Sequence, residues 1–544
     1  MKTLNSHSVK DVSVYSQPVM EIIADLKSRP QLTEKELGAL LRRHSHNYDG
    51  VFSKNLVIRT YRYLCETGEL DPDSQIFQRL RMKPTRTISG VAPVTVLTKP
   101  YPCPGKCIFC PTDVRMPKSY LSDEPGAMRA EMHDFDPYEQ TNARILTFRD
   151  NGHEVDKIEL LILGGTWSSY TRDYQEWFVK RCLDAMNGKE SNSLVEAQLW
   201  NENAVHRNVG LVIETRPDHI DSMEIEWLRY LGVTKVQLGA QSLDDSILMK
   251  NNRGHGLLDT KRAMELLRSA GFKIVLHWMP NLLGATPDSD RHDYDVLWSD
   301  KSLQPDEIKI YPCSLLSNAE LYEYWQRGEY QPYSDEVLIE LVAACKLNTP
   351  EYCRINRVYR DIPAPNIVVG STLSNLRQVV QRTLKHRGQK CKCIRCREVR
   401  DITFQSDNLI LDDLVYETSF SEEHFLSLNT KDGYLAGYLR LSLPIRKNDL
   451  NIEAINNAAL VRELHVYGSA LPIGKYGSDR KTAQHRGLGK RLINNAEKIS
   501  LQAGFRKIGI IASVGTREYY RARGYKLSGT YMVKETNDKH MKQY

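Results

Sequence analysis

Cys103, Cys107 and Cys110 stand at C-x3-C-x2-C spacing in Cys103-Pro-Gly-Lys-Cys107-Ile-Phe-Cys110, directly after an apolar run over residues 91–97. Three thiolates ligate three irons of a [4Fe-4S] cluster and leave the fourth iron without a protein ligand. A small molecule can chelate that iron through an amino and a carboxylate group. Reductive cleavage of S-adenosylmethionine requires that arrangement, in which cluster and cofactor carry the hard chemistry and the protein places them. Structural zinc prefers four ligands, often as two pairs, and no second pair lies close by. A disulfide framework fits poorly with 544 residues, an odd count of 11 cysteines and a beginning, MKTLNSHSVKDVS, that lacks an apolar h-region.

A second group, Cys391-Lys-Cys393-Ile-Arg-Cys396, is more compact. Three free thiols so close together have no packing motive, and structural zinc is the expected occupant, a second iron–sulfur cluster the alternative. His386 is the nearest candidate for a fourth ligand; Cys313 and Cys353 are others. The group sits in a basic linker over residues 376–400, where nine Lys or Arg face one acid, Glu398. Such charge density suits contacts to nucleic-acid phosphates.

A third candidate is Gln484-His-Arg486-Gly487-Leu488-Gly489-Lys490-Arg491, between a strand-like run over 459–466 and a helical run over 492–503. A strand, a glycine-bearing turn and a helix N-terminus cradle anions through backbone N–H groups and the helix dipole. A nucleotide P-loop is a poorer reading, because G-x4-G-K-[ST] is absent. Tyr519 and Tyr520 follow in Thr516-Arg-Glu-Tyr-Tyr-Arg-Ala-Arg-Gly524. Core packing competes with a functional role for each, and only one is expected to face a pocket.

These residues need elements to position them. From residue 88 to about 345, strand-like runs at 91–97, 158–163, 209–214, 235–238, 273–276 and 307–310 alternate with helical stretches such as 174–186, 257–270 and 334–347. The alternation predicts an α/β fold with a parallel sheet wrapped by helices, a partial (β/α) barrel whose active site collects at the C-terminal strand ends. Polar groups fall there: Gly164, Gly165 and Thr166 after one strand, Glu214 and Arg216 after the next, then Gln241, then His277 with Asn281, then Lys309 with Tyr311. The two glycines let backbone approach a ligand closely, and the charges of Glu214 and Arg216 suit ribose hydroxyls and a carboxylate. Residues 1–75 read as helical, with Thr33 as an N-cap. Their Arg42, Arg43, Lys54, Arg59 and Arg62, interleaved with Tyr61 and Tyr63, form either a solvated face or a nucleic-acid surface. Between Ser74 and Thr112 there is no acidic residue, while Arg79, Arg81, Lys83, Arg86, Lys99 and Lys106 lead into the cysteine loop. That stretch points to a polyanion guided to the reactive site. Beyond 401 the pattern changes to strands near 412–418, 434–442, 459–466 and 507–512. The partition expected is thus a basic helical region (1–75), a cluster domain (76–375), a zinc-binding linker (376–400) and an anion-cradling domain (401–544). Hydrophobic content of 41%, charge of 26% and net charge +6 fit a globular chain. No apolar run approaches the roughly 20 residues of a membrane span, and a cytoplasmic setting suits the free thiols.

The cysteine loop, the strand-end Gly-Gly, Glu214-Thr-Arg-Pro-Asp and Gln237-Leu-Gly-Ala-Gln-Ser resemble radical S-adenosylmethionine (radical SAM) enzymes. More narrowly, Thr87-Ile-Ser-Gly-Val-Ala, Pro117-Lys-Ser-Tyr, Glu124-Pro-Gly-Ala-Met-Arg129 and Asp136-Pro-Tyr resemble the catalytic subunit of Elongator and its single-chain prokaryotic homologues. Gln-x-x-Gly-x-Gly is similar to the pyrophosphate loop of the Gcn5-related N-acetyltransferases (GNAT), which bind acetyl-coenzyme A. The resemblance implies a radical SAM half-barrel joined to a GNAT-type α/β domain. It implies that Gly164, Gly165, Thr166, Glu214, Arg216 and Gln241 hold S-adenosylmethionine. It further implies that Gln484, Arg486, Gly487, Leu488, Gly489, Lys490, Tyr519 and Tyr520 hold acetyl-coenzyme A. Tyr520 would protonate the leaving thiolate, and Lys309 would act at the base. The implied reaction joins the acetyl methyl carbon to C5 of the wobble uridine of tRNA through a 5′-deoxyadenosyl radical, and thioester hydrolysis leaves a carboxymethyl group. A homodimer or a larger Elongator-like assembly stays open. Two other readings compete: a protein lysine acetyltransferase with the radical domain as scaffold, and a non-catalytic tRNA-binding module.

Overall fold

The computed structural model describes residues 3–4, 11–46, 48, 50–400, 402, 404–467 and 487–536. Seven strands form an all-parallel sheet in strict sequence order: Ala92–Leu97, Lys157–Leu163, Arg207–Thr215, Lys235–Gln241, Lys273–Trp278, Glu307–Ile310 and Arg354–Val358. Each strand pairs with the next, and the first and last pair with one neighbour only, so the sheet is a barrel left open on one side. Helices such as Arg172–Asn187, Leu257–Ser269 and Pro287–Ser299 fill the crossovers. Strand Lys157–Leu163 shows the logic: Ile158, Leu160 and Ile162 are buried against helices. The alternate residues Glu159, Leu161 and Leu163 face the lumen instead.

Six of the seven strands answer to the runs expected from sequence. The seventh, Arg354–Val358, was not expected, because Arg-Ile-Asn-Arg-Val does not read as an apolar strand. Its polar side chains turn inward, where Arg354 pairs with Glu398 and Asn356 donates to Glu307.

A second seven-stranded sheet holds the rest. Its order is Ile410–Glu417, Ser421–Asn429, Leu435–Pro444, Ala459–Val466, Lys507–Ile510, Tyr531–Glu535 and Lys526–Ser528. All neighbours are antiparallel except Ala459–Val466 and Lys507–Ile510, which run parallel with helix Leu488–Gln502 between them in the chain. One apolar core extends through both sheets, from Ala92 to Met532. Helix Leu376–His386, within the basic stretch expected to act as a linker, joins that core through Leu376, Val380 and Leu384.

The second sheet docks under the N-terminal strand ends of the half-barrel. Arg462 donates to both carboxylate oxygens of Asp306 (2.8 and 2.7 Å) and to Glu423 (2.8 Å), all fully buried. Arg440 donates to Glu463 (3.0 Å) and lies 3.4 Å from Asp306. Lys273 bridges Glu307 (2.5 Å) and Glu463. Ser513 bonds to Asn208 (2.7 Å), and Gly515 fits where a side chain would strike the backbone of Asn208.

Helices Ser16–Ser28, Glu34–His44, Lys54–Glu66 and Ser74–Leu80 enclose a separate small core. Thr33 caps the second in a capping box with Glu36. Most cations expected on this face have local partners. Arg43 and His44 meet Asp25, Lys54 meets Glu34, and Arg59 lies 3.8 Å from Asp150. Arg62 is stacked on Phe77 and Tyr61 is buried, so these two serve packing. Among the described residues, no helix is long and apolar enough to cross a membrane.

Candidate active site

One cavity of about 1640 Å³ runs from the cysteine loop, through the half-barrel lumen, to the second sheet. Cys103, Cys107 and Cys110 line one end. Thr166 reaches Cys103 at 3.6 Å, and Arg253 donates from Nη1 to Cys107 Sγ at 3.3 Å. A hydrogen bond from Cys110, joined by the Arg253 charge, outweighs burial and holds the Cys107 thiol down at about 5. The same hydrogen bond, with burial, pushes its partner Cys110 up, so of this pair it is Cys107 that presents a thiolate, the form that ligates metal. Its three sulfurs do not converge on one small ion, whereas those of Cys391, Cys393 and Cys396 all lie within 4.8 Å of one another. The wider loop suits a cluster of several irons and the tighter group a single ion.

The strand ends gather as expected around this loop. Gly164 and Gly165 both have positive φ (142° and 86°), and a Cβ on Gly164 would overlap Thr98. Gln241 also has positive φ, 72°, and its Oε1 is buried with no hydrogen-bond partner. A buried amide oxygen without a partner at a strand end is free to meet a ligand. Arg216 makes a bidentate pair with Asp218 (2.9 and 2.8 Å), while its buried Nη1 has no partner and packs over Gly105 of the cysteine loop. Burial opposes ionisation of Glu214. The charges of His277, Lys309 and Arg360 overcome it and hold the carboxyl at about 2. Burial, with Lys309 beside it, pushes His277 down to about 4. The ring lies 3.4 Å from Glu214 and 2.9 Å from Gln237. Lys309 lines the cavity with its Nζ 5.7 Å from the Tyr311 ring centre.

At the other end, Gly487 (φ 77°) starts helix Leu488–Gln502. Gly487, Gly489 and Lys490 line the cavity, and Leu488 turns its side chain into the core, leaving its backbone to the loop. Gln484 and Arg486 lie outside the described residues. Gly489 packs close to Tyr519: a Cβ there would strike the Tyr519 hydroxyl unless that side chain moved. Tyr519 and Tyr520 both line the cavity, which corrects the expectation that only one would. Their helix, Arg517–Arg521, is a single short turn, and the cavity wraps its end. Burial pushes the phenol of Tyr520 well above its ordinary value, so it keeps its proton.

Cys391, Cys393 and Cys396 lie outside this cavity, with Lys346 Nζ 3.6 Å from Cys396. None of the three expected fourth ligands joins them: His386, Cys313 and Cys353 are absent from the group. Cys313 instead packs beneath the cysteine loop with Cys107, Ile108 and Phe109.

Sequence reasoning missed several residues of the site. Arg253 spans Cys107 and the Gly239 carbonyl, and Arg360 joins Glu124 (2.9 Å) and the Ser119 carbonyl. Asn281, by contrast, was expected at its strand end with His277; it has φ 68° and its Oδ1 accepts from Tyr333 N (3.3 Å). The polar pair Arg253 and His255, within Asn252-Arg-Gly-His, was the available signal for the first.

Comparison with known proteins agrees with this geometry. Residues 101–296 match the radical SAM superfamily model and residues 305–386 a radical SAM C-terminal domain. A tRNA uridine(34) acetyltransferase of Methanocaldococcus jannaschii is 44% identical over 471 residues, 84% of this chain and 86% of that one. Human Elongator complex protein 3 is 35% identical over 478 residues, 84% of this chain and 86% of its own. The chain belongs to the Elongator protein 3 family. Its solved relatives include the Elp3 of Methanocaldococcus infernus lacking residues 1–46, with TM-score 0.73 and 40% identity over 82% of this chain and 100% of that one. A radical SAM domain in an Elongator protein 3 relative implies a [4Fe-4S] cluster and S-adenosylmethionine, and the thiolate-forming loop with an unsatisfied Gln241 above it fits them.

Proposed function

We propose that the chain is a tRNA uridine(34)-modifying acyltransferase that builds a carboxymethyl group on C5 of the wobble uridine from acetyl-coenzyme A. The observation that carries this reading is the single cavity lined at one end by Cys103, Cys107 and Cys110 and at the other by Gly487, Gly489 and Tyr520. Simple transfer of an acetyl group to an amine has no use for the first end.

With a [4Fe-4S] cluster and S-adenosylmethionine bound, the upper end supplies a carbon-centred radical able to take hydrogen from an unreactive C–H bond. Cys103, Cys107 and Cys110 would hold the cluster. The Gly164-Gly165-Thr166 backbone, Glu214, Arg216 and Gln241 would hold the cofactor. Glu214, ionised at neutral pH, would accept from ribose hydroxyls, and the free Nη1 of Arg216 would meet a carboxylate. At the lower end Gly487, Leu488, Gly489 and Lys490, continuing from Gln484 and Arg486, would cradle the coenzyme pyrophosphate. Tyr520, kept protonated by burial, would give its proton to the departing thiolate. Lys309 and Tyr311 would position the base, flipped out of the anticodon loop. Zinc would sit at Cys391, Cys393 and Cys396 as a structural ion. The cytoplasm is the matching compartment.

The test is anaerobic. Reconstituted protein with S-adenosylmethionine, reductant and acetyl-coenzyme A is expected to form 5′-deoxyadenosine in a tRNA-stimulated manner, with carboxymethyluridine in the digested RNA. Lysine acetylation that survives Cys107→Ala, with no modified uridine, would replace this reading with the protein acetyltransferase.

A further inference from the structure

Positive charge is plentiful in this chain, but most of it has a local partner. The N-terminal cations face Asp25, Glu34 and Asp150. Arg357 meets Asp361, and Arg360 meets Glu124. Even in the acid-free stretch, Arg79 donates to the Leu26 and Arg29 carbonyls, Arg81 to that of Gly152, and Lys99 sits over the Tyr174 ring.

Arg86, Arg129 and Arg144 are different. They come from three separate elements: the turn Pro84–Thr87, helix Pro125–Glu131 and helix Pro137–Asp150. All three line the same wall of the cavity. That wall lies beside Ala92–Leu97, the first edge of the open half-barrel, whose Pro93, Thr95 and Leu97 also line it. The Nε atoms of Arg129 and Arg144 are buried without a hydrogen-bond partner, and the Arg144 guanidinium lies over the Phe148 ring, 4.8 Å from its centre. Among the described residues, no carboxylate is paired with either group. Burial, then the like charges of Arg129 and Arg86, pushes Arg144 down to about 10, and Arg86 acts likewise on Arg129. Two half-buried guanidiniums that have no counter-ion among the described residues, with the like charge of the exposed Arg86 beside them, cost stability. The cost is relieved only by an anion that offers several acceptor oxygens at once, which is the chemistry of a phosphate.

The geometry points to a phosphate seat formed by Arg86, Arg129 and Arg144 at the open edge of the half-barrel, which takes a backbone phosphate of the RNA strand whose base enters the cavity. This rests on the tRNA reading above. The position is apt: an RNA strand lying across the open side would place a phosphate on the rim and turn a base inward toward the cysteine loop. Phosphate contacts of this kind fix register without reading sequence.

The test compares the full-length wild-type protein with Arg129→Gln/Arg144→Gln, and with Arg129→Lys/Arg144→Lys as the charge-keeping control. Iron content and thermal melting check folding. Binding of bulk tRNA is measured from 50 to 300 mM salt. Loss of contacts to single-stranded phosphate lowers the steepness of log K against log salt by about 0.7 per contact. The glutamine pair is expected to lose about 0.7–1.5 in slope and about 10-fold or more in affinity near 100 mM salt, and the lysine pair to recover most of the slope. A parallel titration uses coenzyme A and dephospho-coenzyme A. Weaker coenzyme A binding with an unchanged RNA slope would assign the phosphate to the coenzyme and overturn the RNA assignment. An unchanged slope and unchanged coenzyme binding would overturn the seat itself. If the slope falls as expected but wild type forms no carboxymethyluridine, the seat stands and the proposed reaction fails. If wild type forms it and the slope is unchanged, the reaction stands and the seat fails.

Discussion

Gly105 carries no side chain because the Arg216 guanidinium occupies the space where one would go. The two residues are 111 positions apart in the chain, yet one sets the room available to the other. Gly105→Ala is expected to leave the iron content of the reconstituted protein close to wild type while forcing Arg216 off its cradle. Formation of 5′-deoxyadenosine should fall at least 10-fold, or about 1.4 kcal/mol of lost stabilisation. Unchanged turnover would mean that Arg216 takes no part in holding the cofactor. Glu214 leads to a pH prediction. Its carboxyl is already ionised above about 2, and His277 stays neutral above about 4. Neither group should contribute a break to the rate profile of cofactor cleavage between pH 5.5 and 8. A Glu214→Gln protein should lose activity by a similar factor at both ends of that range, measured as product per cluster.

At the level of elements, two buried supports can be tested. The edge strand Ala92–Leu97 is sealed at its end by Gln140, whose Oε1 accepts from Leu97 N and whose Nε2 donates to Leu97 O, both at 2.9 Å. Gln140→Leu strands both backbone groups and is expected to cost about 1–3 kcal/mol, read from the urea midpoint at constant slope. Helix Pro287–Ser299 carries the second support. Its Asp290 accepts from Asn281 N (2.8 Å) and the Tyr333 hydroxyl (2.9 Å), and burial raises its carboxyl to about 7. A carboxyl raised on folding binds its proton more tightly in the folded chain. Its ionisation therefore takes away stability as pH climbs from about 4 to about 7, and the loss is complete above that. Asp290→Asn keeps an acceptor without the charge. The melting temperature of the variant relative to wild type should be highest at pH 8 and fall toward pH 5, and the opposite trend would refute the assignment.

The same elements explain how much could be read from residues alone. The cysteine loop, the strand-end glycines and Glu214 were legible because local spacing carries their chemistry. Six strands of the half-barrel were legible because their lumen and helix faces are both apolar enough to read as β-runs. Arg354–Val358 and Ser421–Asn429 were not. The first turns Arg354 and Asn356 inward, and the second buries Glu423 against Arg462, a partner 39 residues away. Polar residues read as surface until a distant counter-charge is known. Arg253, Arg360 and the Arg129–Arg144 pair escaped for the same reason, since what matters about them is which groups lie near in space.

Across the whole molecule the two sheets are held by buried charges. Asp306 faces Arg462 and Arg440 together, and these cations hold its carboxyl well below the usual range against the pull of burial. Removing one member leaves the others uncompensated. Asp306→Ala is expected to destabilise by about 3–5 kcal/mol or to abolish soluble protein, whereas an apolar replacement of the whole set is tolerated far better. Depressed carboxylates contribute stability above their unfolded pKa and lose it in acid. Glu463, held at about 2 against burial by Lys273 and Arg440, should stabilise the joint fully above about pH 4.5 and lose that contribution steadily as pH falls to about 2. Limited proteolysis across that range, with appearance of a fragment cut near residues 400–410, would check it.

The shared lumen has a consequence for inheritance. Its walls, its floor and the charges that close the floor come from both ends of the chain: Asn208 with Ser513, Asp306 with Arg462, Glu202 with Arg517. A substitution on either side changes the fit for the other. The two halves are therefore bound to drift together, and a chimera spliced between relatives near residue 400 would carry each half's old partner positions into a neighbour shaped for someone else.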